Sequence, residues 1–241
     1  FQGGERLSSG LQLVLPAASA RALGSHPVEF PIALASHETG KIDLIRMLKT
    51  SGPIALRIQA RNGATGYGTQ PLDPRPFLGA GPGGDWFYVV DHHPAEEGAD
   101  RWSFDVLVFD AIGQLSDSLS VSYTPKTFDE ATLTRMLGVF RVQAAERIDE
   151  EEWLKALWRP SNLPPVSQVV PYDRGIWVAR EEFQQWLTWE KVPFSGEPTV
   201  AFRTSPRFRA LGGSEGGIVG VVPDSLGVPE VVHLVRDPTG R

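Results

Sequence analysis

A chain of 241 residues, 41% hydrophobic and 22% charged, has the balance of a globular protein and the length to bury a sizeable core as one large or two ordinary domains. A formal net charge of −6 argues against a phosphate-tracking basic surface and so against nucleic acid as partner, while zero cysteines exclude disulfides, thiol catalysis and Cys-ligated zinc, iron–sulfur or haem groups. No stretch reaches the ~18 apolar residues a membrane span needs, and 25 Gly with 20 Pro favour many short strands over long helices.

In chain order, Leu11–Leu15 and Glu29–Ala35 read as strands, with His37-Glu38-Thr39-Gly40 as the turn into a third strand near Ile42–Met47. Pro53–Gln59 alternates well enough for a further strand. The segment from Arg61 to Pro82 is dense in Gly and Pro, with Pro71, Pro74, Pro76 and Pro82 disfavouring helix interiors and central ladders, and reads as a loop. Phe77–Gly79, Trp86–Asp91, Phe104–Asp110 and Leu115–Tyr123 then form four strands joined by turns, one of them Asp110-Ala111-Ile112-Gly113. The serines of the fourth strand, set among Leu115, Leu119 and Val121, mark a half-solvated outer strand.

Beyond this sheet the period changes. Thr127-Phe128-Asp129-Glu130 has the capping-box spacing, and Leu133, Met136, Leu137 and Phe140 follow at helical intervals. Asp149 and Glu152 repeat the cap signal ahead of a second apolar stripe of Trp153, Leu154, Leu157 and Trp158, ended by Pro160. Thr127–Trp158 therefore reads as a helical insertion of one or two helices. Strands resume at Val166–Val170, Gly175–Ala179, Gln185–Glu190, Pro198–Phe202, Phe208–Leu211, Ile218–Val222 and Val231–Val235.

A turn followed by a short apolar strand recurs as Gly83–Asp91, Asp173–Ala179 and Gly216–Val222. With the insertion set aside, equivalent strands stand roughly 40–60 residues apart, the period of propeller blades, whereas a sandwich spaces its strands evenly at roughly 8–12 residues. The expected fold is all-β: a single β-propeller-like domain over residues 1–241, built of four-stranded antiparallel sheets with one helical insertion at about 127–158.

Trp86–Asp91 followed by VLVFDAIGQL (Val106–Leu115), the exit Val121–Pro125 and the helical insertion resemble bacterial six-bladed β-propeller proteins, relatives of the NHL and TolB types. The run from Leu163 to Asp237 is similar to the last two blades of that family, Leu226-Gly227-Val228 being its most specific part. Before Phe77 only the strand rhythm is shared. Six blades of roughly 40–50 residues would exceed this length, and about four are visible. Either blades stand upstream, or the propeller is shortened and open, with sheet edges that another chain or a loop must cover. The resemblance implies export, often as a lipoprotein, and a binding role, and it carries over no catalytic residues. The chain begins at Phe1 rather than Met, for which removal of an export signal is the expected reason and a trimmed sequence the alternative. A periplasmic or extracytoplasmic location follows as an expectation, with membrane association through a removed N-terminal segment or a partner.

Chemistry-bearing residues are sparse. Asp91-His92-His93 ends a strand, but adjacent strand residues point to opposite faces and cannot share one metal ion unless the chain turns there. His26, His37 and His233 stand alone. Gly212-Gly213-Ser214-Glu215-Gly216 matches Gly-x-Ser-x-Gly, a motif that needs a strand before and a helix after, whereas Ile218–Val222 reads as a strand; a hairpin turn is expected. Asp85, Asp91, Asp110 and Asp173 sit at turns, where Asp stabilises backbone, rather than as a calcium ring. Glu150-Glu151-Glu152 suits a helix start. No catalytic, metal or cofactor residues are assigned. For Trp153, Trp158, Trp186 and Trp189 core packing is the expected role, and they are the candidates for a partner-facing aromatic patch as the alternative. The expected function is a non-catalytic scaffold subunit of the envelope, docking on other protein subunits of a larger membrane complex such as a transporter, electron-transfer or photosynthetic assembly. The alternatives are a metal-dependent lactonase- or esterase-like propeller hydrolase and a small-ligand sensor.

Overall fold

Short strands separated by turn residues build five antiparallel sheets, each a meander in chain order, in a computed structural model that describes residues 5–14, 29–50, 55–72, 76–92, 102–143, 146–180 and 186–235. The first sheet holds β1 (Leu11–Val14), β2 (Glu29–Ser36) and β3 (Ile42–Lys49). The second is the pair β4 (Ala55–Gln59) and β5 (Thr65–Thr69). The third has β6 (Phe77–Ala80), β7 (Trp86–His92), β8 (Trp102–Asp110) and β9 (Leu115–Tyr123). The fourth has β10 (Gln168–Tyr172), β11 (Gly175–Arg180), β12 (Leu187–Pro193) and β13 (Thr199–Thr204). The fifth has β14 (Arg209–Ser214), β15 (Gly217–Pro223) and β16 (Pro229–Val235). The all-β expectation holds. The four-stranded unit is complete in the third and fourth sheets only, and no sheet closes on itself among the described residues.

Strand alternation places every second side chain on each face, and two of these sheets are apolar on both. From the third sheet, Phe87, Val89, Leu107 and Phe109 pack against Leu13, Ile32, Leu34 and Leu48 of the first. Its opposite face, with Tyr88, Val90, Phe104, Val106 and Val121, meets Ile176, Val178 and Val192 of the fourth sheet. The fourth sheet's other face presents Trp177, Ala179, Leu187 and Trp189 to Phe208 and Ile218 of the fifth. The near-continuous apolar run GIWVA in β11 is thus explained, since Ile176 and Trp177 are both fully buried but in different interfaces. The first strands of three successive sheets also lie together, with β10 against both β6 and β14.

The insertion forms two helices, α1 (Glu130–Gln143) and α2 (Glu150–Ala156). Met136, Phe140, Trp153 and Leu157 cover Leu56 and Ile58 of β4, so the two-stranded sheet takes its apolar partner from helices instead of from another sheet. Its second strand lies inside the stretch expected as loop. β5 reads Thr-Gly-Tyr-Gly-Thr, and its pairing with β4 rests on backbone bonds rather than on an apolar pattern. No helix among the described residues is long and apolar enough to cross a membrane.

Candidate functional site

The register of the fourth sheet sets a row of polar side chains where an apolar interface would otherwise continue. Arg180 of β11 lies opposite Thr188 of β12, which lies opposite Arg203 of β13. Two residues along, Val178, Glu190 and Val200 form the neighbouring row, displaced by a β-bulge between Trp189 and Glu190. Alternation points Arg180, Thr188 and Glu190 toward the third sheet, the same way as Val178 and Val192.

Opposite them stands Tyr123, the last residue of β9, followed by Thr124 and Lys126. Leu163, Pro164 and Pro165, on the way from α2 to β10, complete a cleft of about 350 Å³ between the third and fourth sheets. Three cations (Lys126, Arg180 and Arg203) line it against one carboxylate, Glu190.

Glu190 is only 8% exposed, and its Oε1 accepts from Nη2 of Arg180 in a buried ion pair. The Arg180 guanidinium also sits 5.5 Å from the centre of the Tyr123 ring, a cation–π contact in a site sheltered from water. The indole of Trp102 meets that ring edge-on at 6.1 Å. Burial pushes the Tyr123 phenol well above its ordinary pKa, and the nearby Arg180 charge offsets this only in part. The Oη of Tyr123, the Nε of Arg180 and the Oε2 of Glu190 are all buried without a hydrogen-bond partner. Three such atoms around one cleft are an exception in a folded protein, because each buried polar group left unpaired costs about 1–3 kcal/mol.

The four tryptophans singled out from the sequence do not form one patch. Trp153 is buried and stacks on Phe140 at 4.7 Å within the helical cluster, with Trp158 half-buried beside it. Trp189 is fully buried and donates its indole N–H to Oγ1 of Thr204 at 3.0 Å, so it presents no surface to a partner. Trp186, 48% exposed, is the one of the four that faces solvent.

Ser214 ends β14, and the turn Glu215–Gly216 leads straight into β15, with the Ser214 hydroxyl donating to the carbonyl of Gly217 at 3.3 Å. The Gly-x-Ser-x-Gly run is thus a strand–turn–strand hairpin. Asp110 accepts from the backbone N–H groups of Ile112 and Gln114 at 3.1 and 2.8 Å, a turn-stabilising role. Asp91 and His92 lie in β7, whereas His93 and His26 fall outside the described residues. Among the described residues no group of three or more His, Asp or Glu side chains is placed to hold a metal ion.

The cleft itself escaped the sequence reading. Its signal is a charged residue at a position whose alternation is otherwise apolar: Arg180 closing GIWVAR and Glu190 inside LTWEKV. That signal is faint, because strand ends carry charges routinely.

No family model and no curated protein matches the chain. Among solved structures it is similar to uncharacterized protein lmo1340 from Listeria monocytogenes EGD-e, with 8% identity and a TM-score of 0.26, over 98% of this chain and 84% of that one. It is also similar to apo AztD from Citrobacter koseri, with 13% identity and a TM-score of 0.24, over 89% of this chain and 59% of that one. Likeness this slight carries no functional inference.

Proposed function

We propose that the chain is a non-catalytic binding module of β-propeller type, its sheets serving as successive blades with β6, β10 and β14 toward a common axis. In this reading it docks through sheet faces on another protein subunit of a cell-envelope assembly, of the transporter, electron-transfer or photosynthetic kind. One observation carries the proposal: the stack of sheets ends on uncovered apolar faces. The third and fourth sheets are covered on both sides, but the terminal sheets are not. On β3, Ile42, Leu44 and Met47 are 51%, 60% and 49% exposed, and on the fifth sheet Leu211, Val231 and Val235 are 65%, 73% and 61% exposed. Apolar ladders of this kind, continuing the pattern that is buried elsewhere in the stack, are what a partner sheet covers.

The test uses the absence of cysteine, which makes any introduced thiol unique. Leu44→Cys and Val231→Cys variants, each carrying a photo-crosslinker, are expected to capture one and the same partner in stoichiometric amount from native membranes. Leu44→Lys and Val231→Lys should abolish that capture while leaving the unfolding midpoint unchanged. A stable monomer that retains no partner, or lysine variants that still retain it, would overturn the proposal.

A further inference from the structure

We propose that the cleft between the third and fourth sheets binds a small organic anion that also carries a hydrogen-bond donor, in the manner of a hydroxy- or amino-carboxylate. The inference is independent of the docking proposal, since none of its residues lies on a terminal sheet face.

Size and charge set the outline. A volume of about 350 Å³ lies at the small-molecule end of binding sites. With Arg180 paired to Glu190, Arg203 adds a further positive charge to the walls, which favours a negatively charged occupant. Arg203, exposed on β13, stands at the mouth beside the exposed Val200, while Arg180 and Glu190 form the buried floor.

The unpaired atoms then specify the occupant's polarity. Arg180 Nε is a donor and needs an acceptor. Tyr123 Oη, a protonated phenol, donates to an acceptor as well. Glu190 Oε2 is an acceptor and needs a donor, because Arg180 already occupies only the other oxygen. A simple dianion would satisfy the first two atoms and repel the third. A neutral polyol would satisfy all three but leave the cationic mouth uncompensated. A carboxylate bearing a hydroxyl or ammonium group on the adjoining carbon meets every demand, with its carboxylate toward Tyr123, Arg180 and Arg203 and its donor on Glu190. The regular alternation of β12 carries the Glu190 carboxylate to the cleft side, while the bulge in the facing strand leaves Ala201 unpaired and sets Val200 opposite Glu190.

Isothermal titration with malate, glutamate and lactate as probes, and with succinate, glycerol and inorganic phosphate as controls, tests the assignment. At least one of the three probes is expected to bind, at least about tenfold more tightly than every control. Arg203→Gln, at the exposed mouth, should weaken that binding by about tenfold or more without changing the unfolding midpoint. Glu190→Gln should bring the bound probe and succinate to similar affinity, provided its circular dichroism matches the parent. If Glu190→Gln fails to fold, Arg203→Gln carries the test alone, since it leaves the buried Arg180–Glu190 pair in place. Three outcomes overturn the proposal: no heat from any probe up to about 10 mM, phosphate or succinate binding as well as the best probe, or a bound probe indifferent to Arg203→Gln.

Discussion

Gln70 shows how much one polar side chain fixes in this protein. It is 3% exposed, and its Nε2 donates to the carbonyls of Ala55 and Ala156, both at 3.3 Å. Its Oε1 accepts from the backbone N–H of Trp158 at 3.0 Å. One amide thereby ties the start of β4 to the C-terminal end of α2 and to the second residue beyond it, and sets where Trp158 lies. Gln70→Leu keeps the volume but strands three backbone groups, at least one of them fully enclosed. The expected loss is about 3 kcal/mol, read as a lower urea midpoint at an unchanged slope. An unchanged midpoint would mean that water replaces all three bonds. Nothing around Gln70 in the sequence marks it, because its partners lie 15 to 88 residues away. Trp189 takes the core role that its bulk favours over a partner surface, its indole filling the interface between the fourth and fifth sheets.

Elements were legible where their signals are local. The turn that closes Asp110–Gln114 recurs at Asp224–Val228 with the same backbone bonds: the first residue donates to the fifth, and the glycine donates to the first. Gly113 and Gly227 adopt φ of 90° and 81°, the left-handed conformation this three-residue hairpin requires. The start of α1 shows how a local signal can be displaced by a competitor. The hydroxyl–carboxylate spacing pointed to Thr127 as the cap, but Asp129 takes that role, its Oδ1 accepting from the N–H and the hydroxyl of Thr132, both at 2.7 Å. Thr127 instead forms a bridge with Asn162. At α2 the cap residue Asp149 makes no cap bond and pairs with Arg61 of the β4–β5 hairpin at 3.0 Å. The Thr132 bonds hold the Asp129 carboxyl below its ordinary value of 3.8. A carboxyl lowered in the folded state stabilises above its unfolded pKa, and that stability disappears as pH falls through the folded one. Asp129→Asn retains a capping side chain but cannot titrate. The stability advantage of the parent over Asp129→Asn should therefore shrink as the pH is lowered past 3.8, and hold steady between pH values of about 5 and 7. Urea titrations at each pH measure it, and parallel curves would show that the cap does not contribute.

At the scale of the whole molecule, the stacked sheets make stability uneven in a way composition alone does not reveal. The short apolar runs of β7 and β11 mark them as strands in the sequence, but not which face meets which sheet, because both faces of each strand are apolar. The pairing of faces depends on contacts between sheets, such as Trp86 edge-on to Phe194 at 4.9 Å or Trp189 edge-on to Phe208 at 5.7 Å. The third and fourth sheets are enclosed by neighbours, so their central amides open only when the stack comes apart. The outer strands β3 and β16 carry one wet face each, with Leu44 and Val231 in solvent, and open at lower cost. Hydrogen exchange on the isolated protein should therefore grade from slow in β7, β8 and β11 to fast in β3 and β16. Ile176, fully buried between the third and fourth sheets, provides the complementary test. Ile176→Ala should cost about 2–5 kcal/mol and accelerate exchange in both enclosed sheets together, because the cavity it leaves belongs to their shared interface. Loss confined to the fourth sheet would mean that the sheets unfold as separate units and that the stack is an assembly of independent hairpins. If partner binding then slows exchange at β3 or β16 alone, the covered face is identified directly, without any assumption about what covers it.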